Sequence, residues 1–389
     1  MKKLLFAPFD LLSHYLRCLS IANSLNKNEF EIVFLRSRHY NSFVEANGYR
    51  ITDNTVNAYE NVVSKASKFN FSWINKQSVR QTVDAFIQVV EVEKPDVLIS
   101  DTFLGAKIVA EKLNLNHVAL LNAYVTNYYA GLRDVPHYHK AIRFKKYVSP
   151  EKWERIVRSI EEMTLKQVHS PFRKLRLEWH LPPQNNLFDE FTGQYNLLCD
   201  DEDIFPLRTK PSCYEYIGPV LYNCFQHNPS LMTFLERYKH LPLLYITSGS
   251  SGKYIIPDIL NVDELNDYAV IVAGYHEDAD YKNILFRKFV NFDDVAPQVD
   301  LVICHGGNGS VYQALNAGKR IIAVPWIFEQ EWNVQRFSQL GLCQVFYPDE
   351  KPDKLKKIIN ELLAQKTNNA YVGKYSNIKI DTDYFTRIE

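Results

Sequence analysis

The chain of 389 residues has no excess of charge of either sign: Lys+Arg and Asp+Glu each number 45. It therefore offers no overall basic field, and nucleic acid is not an expected partner. No apolar run approaches the roughly 18 residues that a membrane-crossing helix needs, so no transmembrane segment is expected. Cysteine is scarce, with six residues at positions 18, 199, 213, 224, 304 and 343 and no C-x-x-C pair. That spacing argues against a disulfide scaffold or a zinc ribbon. Several of the six sit in strand-like runs, where a thiol behaves as a small buried hydrophobe. A reduced, cytoplasmic protein is the expectation. The opening MKKLLFAPFD resembles a signal peptide for only a few residues. Pro8 and Asp10 break its apolar run and no small-residue cleavage site follows, so it reads as a first β-strand. Repeats and low-complexity tracts are absent.

What is present is an ordinary globular composition, 46% hydrophobic, in a chain longer than one core usually supports. Two domains are expected. The first half alternates strand and helix. Strands are read at Leu4 to Ala7, Ile32 to Leu35, Val97 to Ser100, Val118 to Leu121 and Tyr195 to Cys199. Helices are read near His14 to Leu25, Val79 to Val92, Gly105 to Leu113 and Glu151 to Trp179. This order predicts an α/β fold with a parallel, doubly wound sheet. The aromatic and basic stretch from Asn122 to Lys146 interrupts the periodicity. The proline-bearing segment 205–219 reads as an interdomain linker. Further strands are read in the second half at Leu243 to Thr247, Ala269 to Ala273, Ile284 to Phe286, Leu301 to Cys304, Ile321 to Val324 and Gln344 to Tyr347. The expected domains are thus 1–219 and 220–370, with a tail, 371–389, that returns to the first.

The most informative stretch runs from Asp300 to Arg336. The buried-strand run Leu301 to Cys304 meets His305-Gly306-Gly307-Asn308-Gly309-Ser310, and a helical spacing follows through Val311, Ala314 and Leu315. Glycines at such a turn let a ligand approach the backbone, and the free N–H groups of the new helix start suit phosphate. A second strand ends at Pro325, and Glu329-Gln330 follows where a loop passes into a helix. Two polar loops at the C-terminal ends of parallel strands describe a nucleotide crevice.

The pattern H-G-G-x-G-S/T, then A-L-x-x-G, then P-x-x-x-D/E-Q-x-x-N resembles the nucleotide-sugar signature of inverting GT-B glycosyltransferases, above all the family 1 enzymes that glycosylate small molecules and lipids. The resemblance implies two Rossmann-like domains facing across a crevice, and a hexose moved from a nucleotide sugar to a small hydrophobic or aromatic acceptor. UDP-sugar is the first choice and dTDP-sugar the second. No cofactor or metal is implied. Asp278-Ala-Asp280, Asp201-Glu-Asp203 and Asp381-Thr-Asp383 imitate the metal clamp of another glycosyltransferase fold, but they lie in polar, turn-like stretches.

Residue roles follow from the same resemblance. Gly307, Asn308, Gly309 and Ser310 would hold the diphosphate, with His305 over it and Ser250 and Asn333 assisting. Glu329 and Gln330, with Trp326, would take the sugar, because a carboxylate and an amide suit vicinal hydroxyls. Phe289 and Val290 would receive the nucleobase, with Phe292 as the competing stacker. The family's proline is replaced there by Asn291. Gln313 stands where many relatives carry the glutamate that grips ribose. His14, in Ser13-His14-Tyr15-Leu16-Arg17, matches the family's base, although Ser13 replaces its glycine. Asp101 matches the acid that orients that base. The competing account of His14 is a helix-start histidine merely near Asp10.

Two other functions stay open. The run His14-Tyr15-Leu16-Arg17-Cys18-Leu19 is close to the G-H-x-x-R-C-L of a nucleotide-sugar hydrolase of similar fold. A lipid glycosyltransferase is the other, with Arg143, Lys145 and Lys146 making peripheral contact with anionic lipid.

Overall fold

Apolar runs such as Val97–Asp101 and Leu301–Cys304 are buried at every position, the pattern of strands covered on both faces by helices. In the computed structural model they lie inside two seven-stranded sheets. The structure describes residues 1–222, 229–249, 265–365, 370–376, 380–381 and 383–386. The chain divides into two compact units, Met1–Val220 with Ile378–Glu389, and Leu221–Asn377.

The sheet of the first unit is parallel throughout. Its strands are β1 (Lys2–Pro8), β2 (Phe30–Phe34), β3 (Arg50–Ile51), β4 (Val97–Asp101), β5 (Asn116–Leu121), β6 (Tyr195–Leu198) and β7 (Tyr214–Tyr216), in the order β3-β2-β1-β4-β5-β6-β7. Strand order therefore reverses direction between β1 and β4, and ligands of open α/β sheets bind at such a switch point. Helices Leu12–Ser24, Lys76–Glu93, Ala106–Leu113 and Pro150–Glu178 form the crossovers. Asn75 starts the second of these with a reciprocal capping box to Ser78. The third is flanked on both sides by residues in the left-handed region, Gly105 (φ +103°) and Asn114 (φ +50°).

The second unit repeats the plan. Its strands are β8 (Leu243–Thr247), β9 (Ala269–Ala273), β10 (Ala279–Tyr281), β11 (Ile284–Arg287), β12 (Leu301–Cys304), β13 (Arg320–Ala323) and β14 (Gln344–Val345), in the order β10-β11-β9-β8-β12-β13-β14. Among these described strands only β10 is antiparallel. The switch point falls between β8 and β12. The core on this sheet gathers Leu244, Ile246, Val270, Ile303 and Ile322 with Leu355 and Ile359 of the helix Pro352–Leu363.

Two expectations about organisation change. The stretch 205–219 is not all linker, because it contributes the edge strand β7, whose Tyr-Glu-Tyr sequence gives no apolar run to notice. The tail 371–389 does not return to the first unit as a whole. Gly373 N donates to Asn316 O at 3.0 Å, Tyr375 N donates to Asn316 Oδ1 at 2.8 Å, and the Tyr375 ring meets Tyr312, so this part stays with the second unit. Only beyond it does the chain join the first unit, with Phe385 against Phe30 and Tyr384 against Tyr195.

Candidate active site

At the switch point of the first unit, Pro8 of β1 is in register with Asp101 of β4. Beyond Pro8 the chain turns through Phe9, whose N–H donates to Asp101 O at 3.1 Å, and enters the helix Leu12–Ser24. His14 and Arg17, one turn apart on that helix, both reach the Asp101 carboxylate. His14 Nδ1 lies 2.8 Å from Oδ1, and Arg17 donates from Nε to Oδ2 at 2.6 Å and from Nη2 to Oδ1. Arg17 Nη1 donates to Asn122 Oδ1 at 2.7 Å, just past the end of β5. Thr102 Oγ1 stands 3.2 Å from His14 Nδ1, on a residue held at φ +46°. Such left-handed strain in a residue with a branched Cβ is a feature of constrained functional turns.

Asp101 is fully buried, and burial alone would raise its carboxyl. Arg17 and His14 outweigh it and hold the group at about 2. The carboxylate is therefore ionised at neutral pH and accepts from Nδ1–H of His14. That bond fixes the tautomer and leaves Nε2 as the acceptor nitrogen. A buried carboxylate, an imidazole whose side chain is 19% exposed and an oriented free nitrogen make a general-base arrangement.

An aromatic wall that the sequence did not announce stands beside His14. Phe9 meets the imidazole edge-on at 6.0 Å between centroids, and Phe9, Tyr59 and Trp73 lie within 6.4 Å of one another. The buried Trp73 Nε1 has no partner. These residues come from three distant segments, so no local motif marks them. By contrast, Tyr124 and Tyr129 of the aromatic stretch are buried against Phe205 and belong to the core.

The second unit places its loops in the same way. His305 N donates to Thr247 O at 3.2 Å, tying the end of β12 to the end of β8. The imidazole is packed between two glycines. A Cβ on Gly249 would come within 2.2 Å of its Cε1, and one on Gly307 within 2.3 Å of its Nε2. Burial pushes His305 down to about 4, so it is neutral at pH 7, and its Nδ1 has no partner. Gly306 adopts φ +82°, and a Cβ there would meet Val334 Cγ1 at 2.4 Å, because the helix Phe328–Gln339 crosses immediately beneath. Asn333 on that helix donates from Nδ2 to Gly306 O at 2.8 Å, while its buried Oδ1 stays unpartnered.

The helix Asn308–Asn316 starts after Gly307 with no side-chain cap, and nothing lies within 4 Å of where a Gly309 Cβ would be. A helix start offers first-turn N–H groups at the positive end of the helix dipole, a setting that suits an anion. Gly309 is exposed, and Asn308, Ser310 and Gln313 are half-buried. Ser250 lies outside the described residues. Phe289 is half-buried after β11 and Val290 is buried, whereas Phe292 packs into the core 4.9 Å from the Tyr245 ring. Phe292 is thereby removed as a base stacker.

The expected sugar residues divide. Glu329 is half-buried in the first turn of the helix Phe328–Gln339. Gln330 is fully buried, and its Oε1 accepts from Trp326 N at 2.7 Å and Ile327 N at 3.2 Å. That carbonyl oxygen shapes the turn into the helix. Trp326 packs partly against the core of this unit. Two of the acidic pairs have partners in the chain. Asp280 pairs with Arg287 at 2.6 Å, Asp278 accepts from Lys288 N at 2.8 Å, and Asp201 accepts from Asp203 N at 3.0 Å. Among the described residues, no three His, Cys, Asp or Glu side chains come together in a metal-holding arrangement. No helix among them is long and apolar enough to cross a membrane.

Residues 243–387 match the model of the glycosyltransferase family 28 C-terminal domain. A PGL/p-HBAD biosynthesis glycosyltransferase of Mycobacterium tuberculosis (strain ATCC 25177 / H37Ra) is 24% identical over 353 residues, covering 85% of this chain and 77% of the relative. A PGL/p-HBAD biosynthesis rhamnosyltransferase of Mycobacterium bovis (strain BCG / Pasteur 1173P2) is also 24% identical, over 87% of this chain and 76% of its own. Among solved structures, the spinosyn rhamnosyltransferase SpnG complexed with thymidine diphosphate superposes with a TM-score of 0.65 at 15% identity. It covers all of this chain and 96% of its own. The fold is GT-B, two Rossmann-like units in one chain. Fold, domain match and relatives together place the protein among the glycosyltransferases.

Proposed function

We propose that the protein is an inverting glycosyltransferase that moves a hexose from a nucleoside diphosphate sugar to a hydroxyl of a small hydrophobic or aromatic acceptor. The observation that carries this reading is the His14–Asp101 pair, in which an ionised, buried carboxylate holds the imidazole with one nitrogen available. His14 Nε2 takes the acceptor proton while the acceptor oxygen attacks the anomeric carbon. The sugar–phosphate bond breaks on the opposite side, and the nucleoside diphosphate leaves. One base and one displacement give inversion. Negative charge grows on the departing diphosphate, and in this reading the first-turn amides of Asn308–Asn316, with Ser310, meet it. A fixed dipole of this kind does the work that a metal does elsewhere, so no metal is part of the proposal.

The Phe9, Tyr59 and Trp73 wall beside His14 supports an apolar acceptor. UDP-sugar remains the first donor and dTDP-sugar the second. Gln313 in the ribose position, and a relative named as a rhamnosyltransferase, support testing deoxysugar donors in the same screen. The experiment is that screen: UDP- and dTDP-sugars, with and without pooled phenols and lipids, analysed by mass spectrometry. Glycosylated acceptor supports transfer. Release of free sugar at the same rate without acceptor assigns the protein to the hydrolases.

A further inference from the structure

The 3-10 helical segment Lys140–Tyr147, KAIRFKKY, contains no buried residue. It carries four cations, Lys140, Arg143, Lys145 and Lys146, and no acid, in a protein whose overall charge is balanced. Two of its aromatics are displayed to solvent, Phe144 at 59% and Tyr147 at 73% exposure. Neither exposure follows from a loosely held segment. On its inner side Ala141, Ile142 and Val148 pack around a small core of Val135, Trp153 and Val157. Buried Asp134 ties the segment down by accepting from Lys145 Nζ at 2.7 Å and from Trp153 Nε1 at 3.0 Å. His139 caps the segment's start by accepting from Ala141 N, and Ser149 begins the long helix that follows. Lys146 Nζ lies 4.9 Å from the centre of the Tyr147 ring, so cation and aromatic are presented together.

We propose that this segment is a docking surface for an anionic lipid bilayer. An exposed tyrosine ring is amphipathic and settles at the headgroup level, a phenylalanine ring enters the acyl boundary, and neighbouring lysines and arginines meet anionic phosphates. Charge complementarity selects this occupant over a second copy of the chain, because two such segments carry the same sign. Phe144 and Tyr147 supply the apolar insertion, and Arg143 and Lys146 the attraction. Lys145 belongs mainly to the seat, through Asp134. The assignment is independent of the sugar chemistry, since it concerns neither switch point.

The test is co-sedimentation of the full chain with vesicles of phosphatidylcholine alone and of an equal mixture of phosphatidylcholine and phosphatidylglycerol. Binding to the anionic vesicles and not to the neutral ones, weakening as salt is added, is the expected result. Each cation removed weakens binding about fivefold, so Arg143→Gln with Lys146→Gln weakens it by roughly 25-fold. Phe144→Ser with Tyr147→Ser also weakens binding, and all four substitutions leave the melting temperature unchanged because the side chains are exposed. Failure to bind, or binding that these variants do not alter, overturns the proposal. So does a concentration-dependent dimer in sedimentation velocity that Phe144→Ser with Tyr147→Ser abolishes, which would assign the face to a second copy.

Discussion

Arg17 and His14 share one oxygen of Asp101: Arg17 grips both carboxylate oxygens and His14 Nδ1 approaches Oδ1 at 2.8 Å. The arginine therefore holds in place the anion on which the histidine depends. It also supplies much of the attraction that keeps the buried carboxyl at about 2 against the effect of burial.

Replacing Arg17 by Met removes that attraction and leaves Asp101 buried beside His14 alone. The carboxyl then rises, and the anion is lost at a higher pH than in the natural protein. The acid limb of the kcat/KM profile should move to higher pH, with a loss of rate of at least tenfold at neutral pH. Arg17→Lys, which keeps the charge but not the two-pronged grip, should restore part of both. An unmoved acid limb in Arg17→Met would show that the arginine serves only to fold the turn.

Stability should depend on pH through the same group. The Asp101 carboxyl is depressed in the folded chain from its ordinary 3.8 to about 2, so its contribution is present above the unfolded value and lost as pH falls through the folded one. Glu190, buried with Arg176 and His169, is likewise lowered, although burial works against its partners, and it adds to the loss in the same direction. Asp101 alone contributes roughly 2 kcal/mol. Denaturant unfolding from pH 6 downward should show that decline in the natural protein and a flatter one in Asp101→Asn. Equal slopes would contradict the assignment.

Two glycines separate folding from ligand binding at the H-G-G-x-G-S loop. Gly306→Ala must fit a Cβ against Val334 at φ +82°, and should destabilise the second unit by about 1–3 kcal/mol. Gly309→Ala has open space around it and a helical position, so stability should hold or rise slightly. If the helix start receives diphosphate, the added methyl should nonetheless cost at least tenfold in UDP affinity by calorimetry. Undiminished UDP binding by Gly309→Ala would place the diphosphate elsewhere.

Gln313 supplies the test of donor choice. If Gln313 faces the ribose, changing it to Glu converts a neutral hydrogen bond into a charge-assisted one, a gain of about 1 kcal/mol. Calorimetry should show tighter UDP binding and a smaller change for dTDP, which lacks one of the two ribose hydroxyls. Equal changes for both nucleotides would mean that Gln313 does not face the ribose.

Much of this organisation was legible in the sequence, for physical reasons that also explain what was not. Strands such as Val97–Asp101 and Leu301–Cys304 are buried on both faces and so announce themselves as apolar runs. The edge strands Arg50–Ile51, Tyr214–Tyr216 and Ala279–Tyr281 are two or three residues long and partly exposed, leaving no pattern to read. The turn His305 through Ser310 between strand and helix could be read because its glycines are contiguous. The Arg17–Asp101 grip joins residues 84 apart, and the Phe9, Tyr59 and Trp73 wall joins three segments, so neither has a local signature. Gln330 carries a structural role that its motif did not announce, since its carbonyl oxygen caps its own helix.

The central claim, that His14 is the base of a glycosyl transfer, is tested most directly by His14→Ala assayed in two ways on one preparation. Calorimetry reports nucleotide binding, and single-turnover mass spectrometry reports the glycosylated acceptor. The account predicts UDP affinity within about twofold of the natural protein and a transfer rate lower by about 10²–10⁴. Transfer to an alcohol of ordinary acidity at the natural rate would contradict it.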